Sequence, residues 1–439
     1  MEESFGFVGN PSGIQEIFCP IESSQRNVSK AVMTTPDSNP KMVPDRGMPV
    51  LLPETLSEGG VSPTLPLLES HPAIPSEYYC GSREDREFIR DWLNARRQLA
   101  VTPEYITAQY EKRIPPGSEL DIVVVGNLGD IFGPDGRTED LKLNRELFAA
   151  ITGSVARSLR EITPSIELIP LERYWVAAVN EGSSDSGGFH SKHGMGYQYI
   201  DDYAASVLLA DSITEDTLLK TLELARNYLH DSLHRSTFRS FKVVGPEERA
   251  EAQEDWPVFR HQYGINFRRE DGISYSPAAS NQPPYSLNLN LLMDGTVVLA
   301  VADAVRNQMA GRVRQDARNE VHVAREVLFP ELAQQFLPEA EKFQREVTAK
   351  TAAFLQYWGG DDFRGLLLSA MMSGDLRGLI ATFSEKAERR RDEDPGFKEF
   401  LVGRAEAHGL PADFVSSHLP GRNLWNLTFL SPDYHQLTK

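Results

Sequence analysis

The chain is short of cysteine, of long apolar runs and of cations to balance its acids. Cysteine occurs twice in 439 residues, at Cys19 and Cys80. Cys19 lies in a proline-rich stretch, so no disulfide is expected to brace the fold. No apolar run approaches the ~18 residues that span a bilayer, so no membrane segment is expected. The start, Met1-Glu2-Glu3-Ser4, is acidic and lacks the apolar stretch of a secretory signal. A cytoplasmic location follows as the default, and the glycosylation-type triplets at Asn27 and Asn426 then carry no meaning. Lys and Arg number 45 against 63 Asp and Glu, a formal net charge of −18. Phosphate backbones are held by cations, so a nucleic-acid partner is not expected. No internal repeat is visible, and no pattern fixes an oligomeric state.

What is present divides the chain in three. Residues 1–75 hold 11 of the 28 prolines, with Ser, Gly and Thr between them. Proline fixes φ and donates no amide hydrogen, so a disordered leader is expected there. Residues 76–301 read as an α/β domain and 302–439 as a helical C-terminal region. The fold class expected is α+β, a mixed sheet with one long motif-bearing helix and a helical C-terminal part. The part beyond the leader is long enough to bury a core without disulfides.

Within the body, residues 82–98 form a charged amphipathic helix with Phe88, Ile89, Trp92 and Leu93 on one face. A short helix opens at Pro103. The three consecutive valines of Leu120–Val125 read as a buried strand. Gly126-Asn127-Leu128-Gly129-Asp130 follows it. The third glycine of a dinucleotide fingerprint and the Gly-Lys-Ser/Thr of a phosphate loop are missing, so it reads as a turn. A helix is expected over Leu143–Ile162, one or two strands over Ile166–Val179, and a strand over Phe259–Phe267. Leu287, Leu289 and Leu291 alternate, and Asp294-Gly295 then reads as the turn of a β-hairpin running to Val301. Helices are expected near 303–326, 332–357, 362–388 and 396–408.

The chemistry-bearing pattern is His230-Asp231-Ser232-Leu233-His234. It lies in a helix expected over Thr214–Phe241, opened by a Ser212/Glu215 capping box and ended by Gly245-Pro246. Leu218, Leu222, Ala225, Leu229 and Leu233 form its apolar stripe. Residues four apart share a helix face, so the two imidazoles can converge on one ion at ~2.0–2.1 Å. Five of the ten histidines fall between 190 and 261. His261 is the first candidate for a third ligand. Glu251, Glu254, His190 and His193 are the others. Tyr263 could donate to an oxyanion, Arg268 and Arg269 could fork onto a substrate carboxylate, and Asp201 and Asp202 could orient a ligand His.

This pattern resembles the zincin-like metallopeptidases, whose signature is His-Glu-x-x-His on a helix. The resemblance covers five residues. It implies Zn2+ held by His230 and His234, with Asp231 as general base on the metal-bound water. Asp is one methylene shorter than the Glu of that signature, and no third His follows at metzincin spacing. The activity expected is that of a zinc-dependent hydrolase, with a protein or peptide as substrate. An oxygen-activating metal centre is a further option. The non-enzymatic alternative is a scaffold or adaptor that recruits partners through its proline-rich leader.

Overall fold

A computed structural model describes residues 69–71, 74–98, 101–111, 122–136, 138–163, 166–179, 189–190, 199–201, 217–244, 257–268, 274–276, 283–316, 338–415 and 421–431. Most of the leader expected over 1–75, the Ser212/Glu215 capping box, Glu251, Glu254, His193, Asp202 and Arg269 lie outside these residues. So do the side chains of His190, Asp201 and Leu218. The described part is α+β, as its composition of elements led one to expect. Among the described residues no helix is long and apolar enough to cross a membrane.

Strands β1 (Glu69–His71), β2 (Ile74–Tyr79), β7 (Arg239–Val243), β8 (Val258–Tyr263) and β9 (Asn266–Phe267) form one sheet in that order. β2 and β7 pair parallel, and the other neighbours antiparallel. Among the described residues, paired structure therefore begins at Glu69, ahead of the boundary placed at residue 75. Helix α1 (Arg83–Arg97) covers this sheet, with Ile89 and Leu93 packed on Tyr79, Phe241 and Val258. Beneath α1, the fully buried Glu77 is paired with Arg97.

The second sheet has the order β3 (Ile122–Asn127), β4 (Tyr174–Val179), β6 (Tyr199–Asp201) and β5 (Phe189–His190). Helix α2 (Pro103–Glu111) packs against it through Ile106. The glycine-bearing turn after β3 becomes the short helix α3 (Leu128–Ile131), capped where Asn127 Oδ1 accepts the Asp130 amide at 2.8 Å.

Between and beyond the sheets lie α4 (Arg145–Ile162), α5 (Thr217–Arg235), α6 (Leu289–Asp316), α7 (Pro338–Trp358), α8 (Gly360–Ser373), α9 (Arg377–Glu393), α10 (Pro395–Ala407) and α11 (Gly421–Phe429). Helices α4, α5 and α6 pack against one another, and α7 lies along α6. One apolar cluster joins Val155 of α4, Leu229 and Leu233 of α5, Val297 of α6, Trp358 of α7 and Trp425 of α11. It takes residues from both sides of the 301/302 boundary, and α6 runs straight through that boundary.

Three expectations are corrected here. The helix expected to reach Phe241 stops at Arg235, and the chain turns into β7. The span 362–388 is two helices, broken at Gly374 in the left-handed region at φ +70°. The expected hairpin over Leu287–Val301 is the start of α6. Asn288 opens that helix, its Oδ1 accepting the Asn290 amide at 2.9 Å and the Leu291 amide at 3.4 Å. Gly295 is a close-packing residue of α6, because a Cβ there would lie 2.7 Å from Thr351 Cβ of α7.

Candidate metal centre

Helix α5 carries the two histidines into the interior. Leu222, Ala225, Leu229 and Leu233 are buried, as the apolar stripe requires. Tyr228 Oη donates to the Ile169 carbonyl at 2.6 Å, and Ser232 Oγ accepts the Ile169 amide at 3.2 Å. These bonds fix the rotation of α5. His230 and His234 then face α6, one turn apart, with ring centroids at 4.6 Å.

The group that meets them is Asp294, the residue read from the sequence as a turn. His230 Nε2 and His234 Nε2 each lie 3.3 Å from Asp294 Oδ1. One ligand atom from each of the three residues falls within 4.8 Å of the others, so the group could hold a metal ion. Ligands at ~2.0–2.1 Å around a tetrahedral ion are separated by ~3.3–3.4 Å, the observed nitrogen–oxygen spacing. His234 and Asp294 are buried, while the His230 side chain keeps 24% exposure. The side of the group toward His230 is therefore the side open to solvent.

Protons are distributed in favour of a cation. Tyr263 Oη donates to the His234 carbonyl at 3.2 Å, and lies 3.1 Å from His234 Nδ1. A hydroxyl has one hydrogen, so the second contact is Nδ1–H donating into the tyrosine oxygen. That tautomer would leave the Nε2 lone pair to a metal ion, whereas a hydrogen bond from Nε2 to Asp294 Oδ1 needs the proton on Nε2. Burial, with the His230 charge added to it, holds His234 below the ordinary imidazole pKa, so it stays neutral near pH 7. Burial also opposes charge on His230, but the hydrogen bond and charge of Asp294 outweigh it and raise that pKa. Burial pushes the Asp294 carboxyl up, yet its bonds to the two histidines bring it down to about 2. The carboxylate is thus ionised and needs a positive partner. A proton on His230, whose pKa is raised by Asp294, or a metal ion held among the three residues would each meet that need.

Supporting contacts hold Asp294 and Tyr263 in place. Asn290, one turn before Asp294, accepts from Asn266 Nδ2 at 2.6 Å, and Asn266 Oδ1 accepts from Ser274 Oγ at 2.7 Å. The β8–β9 turn between Tyr263 and Asn266 uses Gly264 at φ +54°. A Cβ there would stand 2.9 Å from Thr237 Cγ2, so the turn presses on the end of α5.

The sequence-derived candidates divide accordingly. His230 and His234 come together. His261, expected as the third ligand, lies outside the group. It is buried on β8 with Nε2 3.3 Å from Ser240 Oγ, and burial, helped by Lys242, pulls its pKa down to about 3. Tyr263 touches the far nitrogen of His234, a position that orients a ligand. Asp231 follows His230 on α5, is partly exposed, and is not one of the three convergent residues. Asp294 was missed because Leu287, Leu289 and Leu291 alternate before an Asp-Gly pair. The competing pattern was Leu289, Leu292, Met293, Thr296, Val297, Ala300 and Val301, which fits a helix once Asn288 is taken as its cap. No protein-family model, no curated protein and no solved structure matches this chain.

Proposed function

We propose that the chain is a metal-dependent hydrolase, with zinc held by His230, His234 and Asp294 and a peptide as substrate. The observation that carries this reading is the pair of Nε2 atoms at 3.3 Å from one buried carboxylate oxygen. Catalytic zinc sites use three protein ligands and leave a fourth position for water or substrate. The partial exposure at His230 supplies such a side. The helix-borne histidine pair is the part shared with zincin-like metallopeptidases, and Asp294 takes the place of a downstream helical carboxylate ligand. When bound, zinc would polarise the scissile carbonyl and acidify its water. Asp231, next to His230 and partly exposed, would serve as the base toward a metal-bound water. Tyr263 fixes the tautomer of His234, as outer partners of metal-bound histidines do. The acidic composition and the lack of a spanning helix among the described residues fit action in the cytoplasm.

A second reading keeps the site and changes the chemistry. Two histidines and one carboxylate also form the ligand set of oxygen-activating iron centres. Elemental analysis of the purified full chain separates these. The hydrolase reading expects about one zinc per chain, lowered by Asp294→Asn, and an Asp231→Asn protein that keeps its zinc but loses hydrolysis of fluorogenic peptides. Iron in place of zinc would favour the second reading. A wild-type protein without stoichiometric metal would overturn both and leave the scaffold role.

A further inference from the structure

Arg268 is a buried cation with no counter-charge among the described residues. It follows β9, is nine-tenths buried, and its Nη2 has no hydrogen-bond partner. Burial lowers its pKa to about 10, and no carboxylate of the described residues offsets it. An uncompensated buried charge destabilises a fold by several kcal/mol. Arg97 and Arg239, by contrast, face the buried Glu77. Among the described residues nothing supplies the negative charge that Arg268 would take.

Strand register gives its direction. Tyr263 and Asn266 are opposite one another on β8 and β9, so their side chains share a face. Arg268 is two residues beyond Asn266, and alternation returns it to that face. Ser274, paired with Arg268 across an isolated bridge, donates to Asn266 Oδ1 on the same side. This is the face from which Tyr263 reaches His234 and Asn266 reaches Asn290. Arg268 therefore stands one rung, ~7 Å along the strand, from the residues that brace the metal centre. His261 is its neighbour on the ladder, its carbonyl accepting the Arg268 amide at 2.9 Å, and its buried Nδ1 also has no partner.

We infer that Arg268 anchors a carboxylate of the substrate handled at His230, His234 and Asp294, so that the centre acts on carboxylate-bearing peptides or acyl amino acids. The inference rests on the hydrolase reading. A guanidinium fork meets a carboxylate with two parallel hydrogen bonds, and its single charge matches a single negative charge. In the tautomer whose Nε2 accepts from Ser240 Oγ, the unpartnered Nδ1 of His261 would add a neutral donor on the same face.

The test uses the full chain loaded with Zn2+ and two probes that differ in one group, N-acetyl-leucine and N-acetyl-leucinamide. Calorimetry should show the acid binding at least tenfold more tightly. Arg268→Met should erase that preference, and Arg268→Lys should keep only part of it. Without ligand, Arg268→Met should melt about 2–4 °C above wild type, because an unpaired charge has been removed. Equal binding of the two probes by wild type, or an Arg268→Met protein that keeps the preference or melts lower, overturns the inference. If that variant does not fold, Arg268→Lys and the wild-type probe pair decide. Inorganic phosphate displacing the acid at equal concentration would overturn the assignment to a carboxylate. Zinc content is measured on the same samples. Zinc-bearing protein without a preference sinks the anchor alone, and zinc-free protein that still prefers the acid sinks the metal reading alone.

Discussion

Two buried charged groups lie at the C-terminal end of α5, and they are built on opposite plans. On the β2–β7 side, Glu77 is surrounded by Arg239, Arg97 and Arg235. Burial pushes its carboxyl up, and the three guanidinium groups pull it back. Acid meets base there, and the pairing locks strand β2 to α1 and β7. On the α6 side, one carboxylate oxygen faces two imidazole nitrogens at 3.3 Å each. The first group is complete without a ligand. The second is complete only with a proton or a metal ion between its members. The comparison teaches that burial of charge is not by itself a mark of a site. What marks the site is convergence of donors that do not neutralise one another.

Breaking the first group has the largest expected effect. Glu77→Ala leaves buried arginines uncompensated and should cost about 3–5 kcal/mol, read as a lowered denaturation midpoint whether or not zinc is present. Zinc affinity of the folded fraction should be unchanged. A loss of zinc affinity in that variant would show that the two groups are one.

His261 sharpens the contrast through pH. Its folded pKa of about 3 lies below the unfolded value of ~6.5, so the unfolded chain binds the extra proton between those limits. Its contribution to stability is present above pH ~6.5 and is lost as pH falls toward 3. At pH 5 the loss should reach about 2 kcal/mol relative to pH 7. Comparing urea denaturation of wild type and His261→Gln at the two pH values isolates that slope. Equal slopes would mean that His261 is already charged or exposed in the folded chain.

The change with least effect on the fold is Tyr263→Phe. It removes the hydroxyl that fixes the His234 tautomer and should weaken zinc binding about tenfold to a hundredfold, with little loss of fold. Competition with a chelator of known affinity measures it. An unchanged affinity would make the Tyr263 contact incidental.

The histidine pair was legible because it depends on one helix and a spacing of four. α1, α2 and α4 were legible for the same reason, since each carries its apolar face within its own sequence. What could not be read is what depends on a second element. Asp294, the third member of the group, sits on a different helix, 60 residues beyond His234. Its local pattern is ambiguous, because Asn288 and Asn290 are buried, capping and bridging residues, while in a strand they would read as the solvated alternates. The end of α5 was also hidden. Thr237 and Phe238 continue the apolar rhythm of the helix, and only the pairing of β7 with β2 and β8 pulls them out of it. His261 misled because proximity in sequence was taken for proximity in space.

The contact between Gly295 and Thr351 lets α7 set how α6 presents Asp294 to the two histidines. Gly295 follows Asp294 on α6, and the space beside Thr351 admits a hydrogen atom where any other residue has a methyl. A bulkier residue at either position would force α6 and α7 apart and shift the carboxylate relative to His230 and His234. The geometry of the three convergent residues is thus adjustable from a helix that contributes none of them.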